Sequence, residues 1–270
     1  MLIYRGLNIG SAKPSAAEMR GVPHHLIDLC EPTESFSVQQ WLSLAEARIA
    51  EIRSRGGWAI VVGGTHLYVK ALLDGLFEGP GADAALRERL NTLPPSELRS
   101  RLERIDPAAA AKLHPNDIRR TIRALEVYEL TGKPMSEHQT QWDSDRPAHA
   151  DDRTLIGLDW PVELINPRIN ERVREMVRRG LVEEVRGLHT AGQLGMQAGE
   201  ALGYKQLVEY FKGRCTLDEA IEEIKIETRR FAKNQRTWAR RLRTTKGSVW
   251  IDAAATPVEQ WPRMVMDRCF

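Results

Sequence analysis

A chain of 270 residues with 42% hydrophobic and 28% charged side chains has the composition of a soluble globular protein, long enough for one large or two ordinary domains. No apolar run approaches the roughly 20 residues that a membrane span needs, and Met-Leu-Ile-Tyr-Arg-Gly at the start lacks the apolar core of a signal peptide; a cytoplasmic protein with no membrane partner is expected. The formal net charge of +2 does not by itself demand a polyanionic partner, and Cys30, Cys215 and Cys269 are too scattered for a disulfide frame or a zinc site.

Tyr4 to Ser15 carries Gly6, Gly10 and Pro14 with little periodicity, which reads as a functional loop. His24 and His25 are neighbours whose side chains point apart in any regular structure, so they make a poor chelate. Val38, Trp41, Ala45, Ile49 and Ile52 form a helical stripe that Gly56 stops. The run Trp58 to Val62 is rich in β-branched and aromatic side chains and predicts a short strand buried on both faces. Gly63 and Gly64 end it, Thr65 stands at a helix start, and His66 to Leu73 continue with helical spacing. That order puts Thr65 at the carboxyl edge of an α/β sheet, where such folds bind ligands; a plain tight turn accounts for the same residues equally well.

Beyond Gly75 the pattern is helical. Pro94-Pro95-Ser96 opens a helix through Arg104, and Asn116 caps another that Gly132 and Pro134 end. On that second helix Arg119, Arg120 and Arg123 lie three and four apart, either as phosphate contacts or as a solvated face paired with Glu126. Ser136 to Asp152 is a polar, exposed connection. Thr154 to Asp159 predicts a second buried strand, and Asn166-Pro167 starts a helix through Arg179. Gly199 to Lys205 interrupts the helical run. Thr216 with Glu219 makes a capping box for a helix to about Leu242, with a buried stripe of Ile221, Ile224, Thr228, Phe231, Gln235, Trp238 and Leu242. Thr228 to Lys246 holds eight Lys or Arg and no acid, a field suited to phosphate groups or RNA, although cations at a helix end also suit its dipole. Ser248 to Asp252 predicts a third strand.

Six blocks in this order carry a resemblance: Y-R-G-L-N-I-G-S-A-K-P-S from Tyr4, V-P-H-H-L-I-D from Val22, V-V-G-G-T-H-L-Y from Val61, H-P-N-D-I-R-R-T-I-R-A-L-E from His114, A-L-G-Y-K-Q from Ala201 and R-R-F-A-K-N-Q-R-T-W-A-R-R from Arg229. The chain resembles the tRNA dimethylallyltransferases. The resemblance implies an α/β, P-loop kinase-like parallel sheet with extensive helical tRNA-binding segments. Residues 1–80 and 151–270 would form the core and 81–150 a mainly helical part, with 166–230 as an alternative helical subdomain. It implies that N6 of the adenine beside the anticodon, in tRNAs reading codons that begin with U, attacks the first carbon of dimethylallyl diphosphate. The base is flipped from its stack to reach the reagent. Thr65 becomes a channel residue near that base. Met1, Leu2, Thr65, Arg87, Arg119, Arg120, Thr121, Ile122, Arg123, Glu200, Ala201, Leu202, Gly203, Tyr204 and Lys205 fall where the family contacts tRNA. Arg229, Lys233 and Arg236 are candidates for the diphosphate. Mg²⁺ is the expected cofactor, and a monomer the expected state.

Departures are visible too. Glu200 is acidic where a cation would favour phosphate, and Ile122 can only pack. The family opens with a strand and a G-x-x-x-x-G-K-[ST] loop that holds the diphosphate and Mg²⁺, then an Asp-Ser pair whose aspartate is the proposed base. No such loop pattern occurs here, and Met1 and Leu2 stand where the two residues after Asp-Ser belong. The expectation is therefore an in-frame upstream extension of roughly 30 to 40 residues, a P-loop unit ending in Asp-Ser. Without it, strands such as Trp58 to Val62 would keep an open edge, and the 270 residues alone would bind the diphosphate feebly and transfer nothing measurable. Two other readings are an inactive tRNA-binding remnant and a related nucleotide kinase, the latter opposed by the Y-R-G and G-G-T-x-L-Y blocks.

Overall fold

A computed structural model describes residues 1–77, 79–138, 153–245 and 247–269. In chain order the helices are α1 (Ala16–Met19), α2 (Val38–Ser54), α3 (His66–Asp74), α4 (Ala84–Asn91), α5 (Pro95–Ile105), α6 (Pro107–Lys112), α7 (Ile118–Thr131), α8 (Met135–His138), α9 (Val162–Arg178), α10 (Leu181–Thr190), α11 (Met196–Gly199), α12 (Tyr204–Phe211), α13 (Leu217–Leu242) and α14 (Trp261–Cys269); the strands are β1 (Ile156–Asp159) and β2 (Val249–Asp252). Two compact units result, Met1–Val69 with Asp151–Phe270, and Lys70–Ala150. Among the described residues no helix is long and apolar enough to cross a membrane.

In the first unit β1 and β2 pair in parallel, Ile156 opposite Val249 and Asp159 opposite Asp252. Val249 and Ile251 of β2 are buried, but β1 is largely exposed, against the expectation of a buried strand. As one edge of a two-stranded sheet, β1 has no strand on its outer side to cover it. The Trp58 to Val62 segment departs further, because it forms no strand at all. Trp58, Ile60, Val61 and Val62 are 71%, 84%, 48% and 88% exposed. Strand propensity measures how well side chains fit a pleated, half-buried surface, and the sheet present here does not extend to this segment.

The core of this unit joins Tyr4 and Leu7 of the first loop to Val185 of α10, Tyr204 and Leu207 of α12, and Ile224 of α13. The Thr216 hydroxyl and the Glu219 carboxylate cap α13 reciprocally, as their spacing predicts. Its stripe is less apolar than expected. Phe231 is 42% exposed, and the Thr228 hydroxyl donates back to the Ile224 carbonyl at 2.6 Å, which satisfies it within the helix. Helix α9 starts after Pro161, a turn before Asn166-Pro167, and Pro167 lies inside it. Pro167 has no amide hydrogen to donate to the Glu163 carbonyl.

The second unit packs α4 to α8 around Leu90, Leu98, Leu102 and Leu125. Buried Asp106 links two helix starts, accepting from the Ala109 amide and the Ser136 amide at 2.9 Å each. Asp117, not Asn116, caps α7 by accepting from the Arg120 amide at 3.2 Å, and left-handed Gly132 (φ 72°) closes it. The predicted polar connection falls largely on 139–152, outside the described residues.

Candidate functional site

Helix α13 supplies the platform. The Thr65 carbonyl accepts from the Tyr68 and Val69 amides at 3.0 and 3.1 Å and so begins α3, while the Thr65 residue itself is exposed. Gln235 of α13 donates through Nε2 to the Gly64 carbonyl at 3.0 Å. His66 Nε2 meets the Gln235 carbonyl at 3.1 Å; a carbonyl only accepts, so this nitrogen carries the proton. The imidazole stacks on Trp238 with centroids 5.4 Å apart and planes at 19°, and the Arg241 guanidinium lies 4.9 Å from the same indole. Burial holds the His66 pKa below the usual imidazole value, opposed by the hydrogen bond to Gln235. A Cβ at Gly64 would come 2.2 Å from Gln235 Nε2, so a larger residue there would displace the Gln235 amide.

Adjacent to Gln235 is Arg236. Its Nη1 is enclosed and has no hydrogen-bond partner among the described residues. A buried guanidinium donor without an acceptor is a costly feature unless something brings it an oxygen. The other two cations proposed for a diphosphate differ: Arg229 donates through Nη1 to Asn170 Oδ1 at 2.5 Å, and Lys233 is exposed. Among the described residues no group of three or more His, Cys, Asp or Glu is arranged to hold a metal ion.

The first loop is tied down by two charges. Lys13, its side chain 7% exposed, donates to the Tyr4 carbonyl and Asn8 Oδ1 at 2.9 Å each and pairs with Asp28. Glu184 of α10 then accepts from three successive amides, Asn8 at 3.0 Å, Ile9 at 2.8 Å and Gly10 at 3.2 Å. Such a concave row of amides favours an anion, and here the chain provides its own. The Tyr204 hydroxyl donates to the same carboxylate at 2.5 Å. Burial first, and that carboxylate second, push the Tyr204 hydroxyl far above the usual phenol range. Nothing in the sequence motifs singles out Glu184 beyond its place in an acidic first turn of α10.

These contacts redistribute the residues expected at tRNA. Ala201, Gly203 and Tyr204 are buried, and the Tyr204 ring packs in the core of the first unit. Glu200 and Lys205 are exposed and paired at 2.7 Å, Leu202 is half-buried, and Met1 and Leu2 are exposed. In the second unit Thr121 and Ile122 are likewise buried, 1% and 6% exposed, on the core face of α7. Arg87 grips buried Glu126 with two hydrogen bonds of 2.9 Å, and Arg123 adds one of 2.7 Å while donating to the Pro80 carbonyl at 2.9 Å. The Asp83 amide completes the set at 2.8 Å. Burial would raise the Glu126 pKa, but these donors outweigh it and hold it below the usual carboxylate range. Arg119 and Arg120 remain exposed, Arg120 at 3.4 Å from Asp117.

The IPP transferase family model matches residues 2–242. The chain belongs to the IPP transferase family. The tRNA dimethylallyltransferase of Geobacillus kaustophilus is 47% identical over 272 residues, 98% of this chain and 85% of the relative. A tRNA dimethylallyltransferase 1 of Citrifermentans bemidjiense is 46% identical over 239 residues, 88% of this chain and 78% of the relative. Among solved structures, the full-length tRNA isopentenylpyrophosphate transferase of Bacillus halodurans matches with TM-score 0.68 and 39% identity, covering 99% of this chain and 83% of that one. A eukaryotic dimethylallyltransferase acting on tRNA matches with TM-score 0.80 and 27% identity, over 99% and 69%. Family members are transferases of tRNA modification by name, so the inactive remnant and the nucleotide kinase find no support among these relatives.

Proposed function

We propose that this member of the tRNA dimethylallyltransferase family transfers a dimethylallyl group from dimethylallyl diphosphate to N6 of the adenine beside the anticodon. The observation that carries the reading is the G-G-T turn seated on the basic half of α13, which holds Gly64 and His66, on either side of Thr65, against Gln235. N6 attacks the first carbon of the prenyl group, the carbon–oxygen bond to the diphosphate breaks, and the pyrophosphate takes that electron pair while N6 gives up a proton. In this reading the enclosed Nη1 of Arg236 donates to an oxygen of the leaving diphosphate, where charge develops. Thr65 lines the place of the flipped adenine. Arg119, Arg120 and Lys205 offer charge to the RNA backbone from exposed positions.

Deleting the gene is expected to remove N6-dimethylallyl adenosine from cellular tRNA, and a plasmid copy to restore it. A Thr65→Ala copy should restore less of the modification while the protein still binds tRNA with near-normal affinity. Unchanged prenyl-adenosine in the deletion strain would refute the proposal.

A further inference from the structure

We infer that His66 is a positioning residue: its imidazole latches the Gly63-Gly64-Thr65 turn onto α13 and so sets where Thr65 stands relative to Arg236. The inference rests on the reading of Thr65 and Arg236 given above, and it adds to that reading a residue which the G-G-T-x-L-Y pattern leaves open. Thr65 is flanked by both halves of the latch. On its N-terminal side the Gly64 carbonyl accepts from the Gln235 side chain at 3.0 Å, and on its C-terminal side His66 donates to the Gln235 carbonyl at 3.1 Å. One residue of α13 therefore holds the turn twice, through its side chain and its backbone. The ring has a second fixed point in the stack on Trp238, one helical turn beyond Gln235. A Cβ on Gly64 would push the Gln235 amide from its present place. Gln235 and Arg236 share a peptide bond, so the turn held on Gln235 lies beside the stretch of α13 backbone that carries Arg236.

The latch has a preferred protonation state. Donation to a carbonyl uses the tautomer with its proton on Nε2, which leaves Nδ1 bare and without a hydrogen bond among the described residues. A second proton would place a charge in a half-buried spot. The charged groups on α13 nearest in sequence to the contact are Lys233, Arg236, Arg240 and Arg241, all cations, and on α3 Lys70 is paired with Asp74 at 3.3 Å. No carboxylate in those turns stands ready to hold a proton on the ring. Acidification therefore weakens the latch before it affects the exposed RNA-binding arginines.

The test uses the protein expressed from its own gene and three variants. His66→Ala removes the ring, His66→Phe keeps an aromatic for Trp238 without the donor, and His66→Gln keeps a donor without a titrating ring. Single-turnover transfer and tRNA affinity are measured near neutral pH, and transfer again as the pH is lowered. His66→Ala and His66→Phe are expected to slow transfer by about tenfold with tRNA Kd changed by less than about twofold. His66→Gln should recover most of the rate and lose the acid limb that the unaltered protein shows below about pH 6.5. An unchanged rate and pH profile in His66→Ala overturns the inference, as does an affinity loss equal to the rate loss, which would make His66 an RNA contact. Should the unaltered protein transfer nothing, the activity reading fails by itself, and amide exchange decides the latch separately. Tyr68 and Val69, whose amides bond the Thr65 carbonyl, should exchange about tenfold faster in His66→Ala, and equal exchange overturns the latch.

Discussion

Glu126 has no exposed surface, yet it carries a charge that two arginines and a backbone amide share. Glu126→Gln would remove the charge and one of the two oxygens that Arg87 and Arg123 share, while Arg87 stays 42% exposed and Arg123 keeps the Pro80 carbonyl, so a loss of about 1–3 kcal/mol is expected. Urea unfolding should register that loss, and a midpoint unmoved by the substitution would refute the structural role. The same geometry separates the arginines of α7. Arg123→Ala is expected to lower stability and leave the salt dependence of tRNA binding alone, whereas Arg120→Ala should reduce the salt slope by about one at unchanged stability. The sequence left both roles open for these residues, phosphate contact or pairing with Glu126. A recurring motif records which residues travel together but not which way each faces, so buried Thr121 and Tyr204 could not be told from exposed Arg120 and Lys205 without coordinates.

Among the elements, the docking of the first loop on α10 and α12 makes the sharpest demand on shape. A Cβ on Gly10 would lie 2.4 Å from Cε2 of the fully buried Tyr204 ring, which has no free volume to enter. Gly10→Ala should therefore cost about 1–3 kcal/mol, as overpacking does, and also disturb the amide row that holds Glu184. Calorimetry showing an unaltered Tm would contradict the close approach. Elements set by local chemistry were legible from the sequence: α13 begins at its Thr216–Glu219 box and ends at Leu242, and α2 follows its apolar stripe. Elements that depend on a distant partner were not. Trp58 to Val62 has the residues of a strand but no ladder, Phe231 sits at a stripe position yet faces solvent, and Glu184 is recognised only by the loop it holds.

For the whole molecule these groups predict a stability profile with two shoulders. The lowered pKa values of His66 and Glu126 mean that the unfolded chain binds more protons in acid, so stability falls as pH drops below about 6.5 for the imidazole and again below about 4.3 for the carboxylate. In base the sign reverses. Burial pushes the Tyr4 hydroxyl up to about 12 and Tyr204 further still, so the unfolded chain ionises first and stability declines above about pH 10. Denaturant midpoints measured across this range should form a plateau between the two limbs. A midpoint that keeps rising above pH 10 would show that the tyrosines are not confined as described.

The extended run from Trp58 to Val62 has a practical consequence. Its Ile60 and Val62 side chains stand two apart, the spacing of one strand face, in an apolar, uncharged stretch with high strand propensity, and both are more than four-fifths exposed. Such a stretch recruits its own kind, so concentrated stocks of the protein will lose material to β-rich aggregates faster than dilute ones, even where every helix is intact. Shelf life in the test tube is then governed by five residues beside the Gly63-Gly64-Thr65 turn, and a single lysine placed among them would lengthen it without touching the cores.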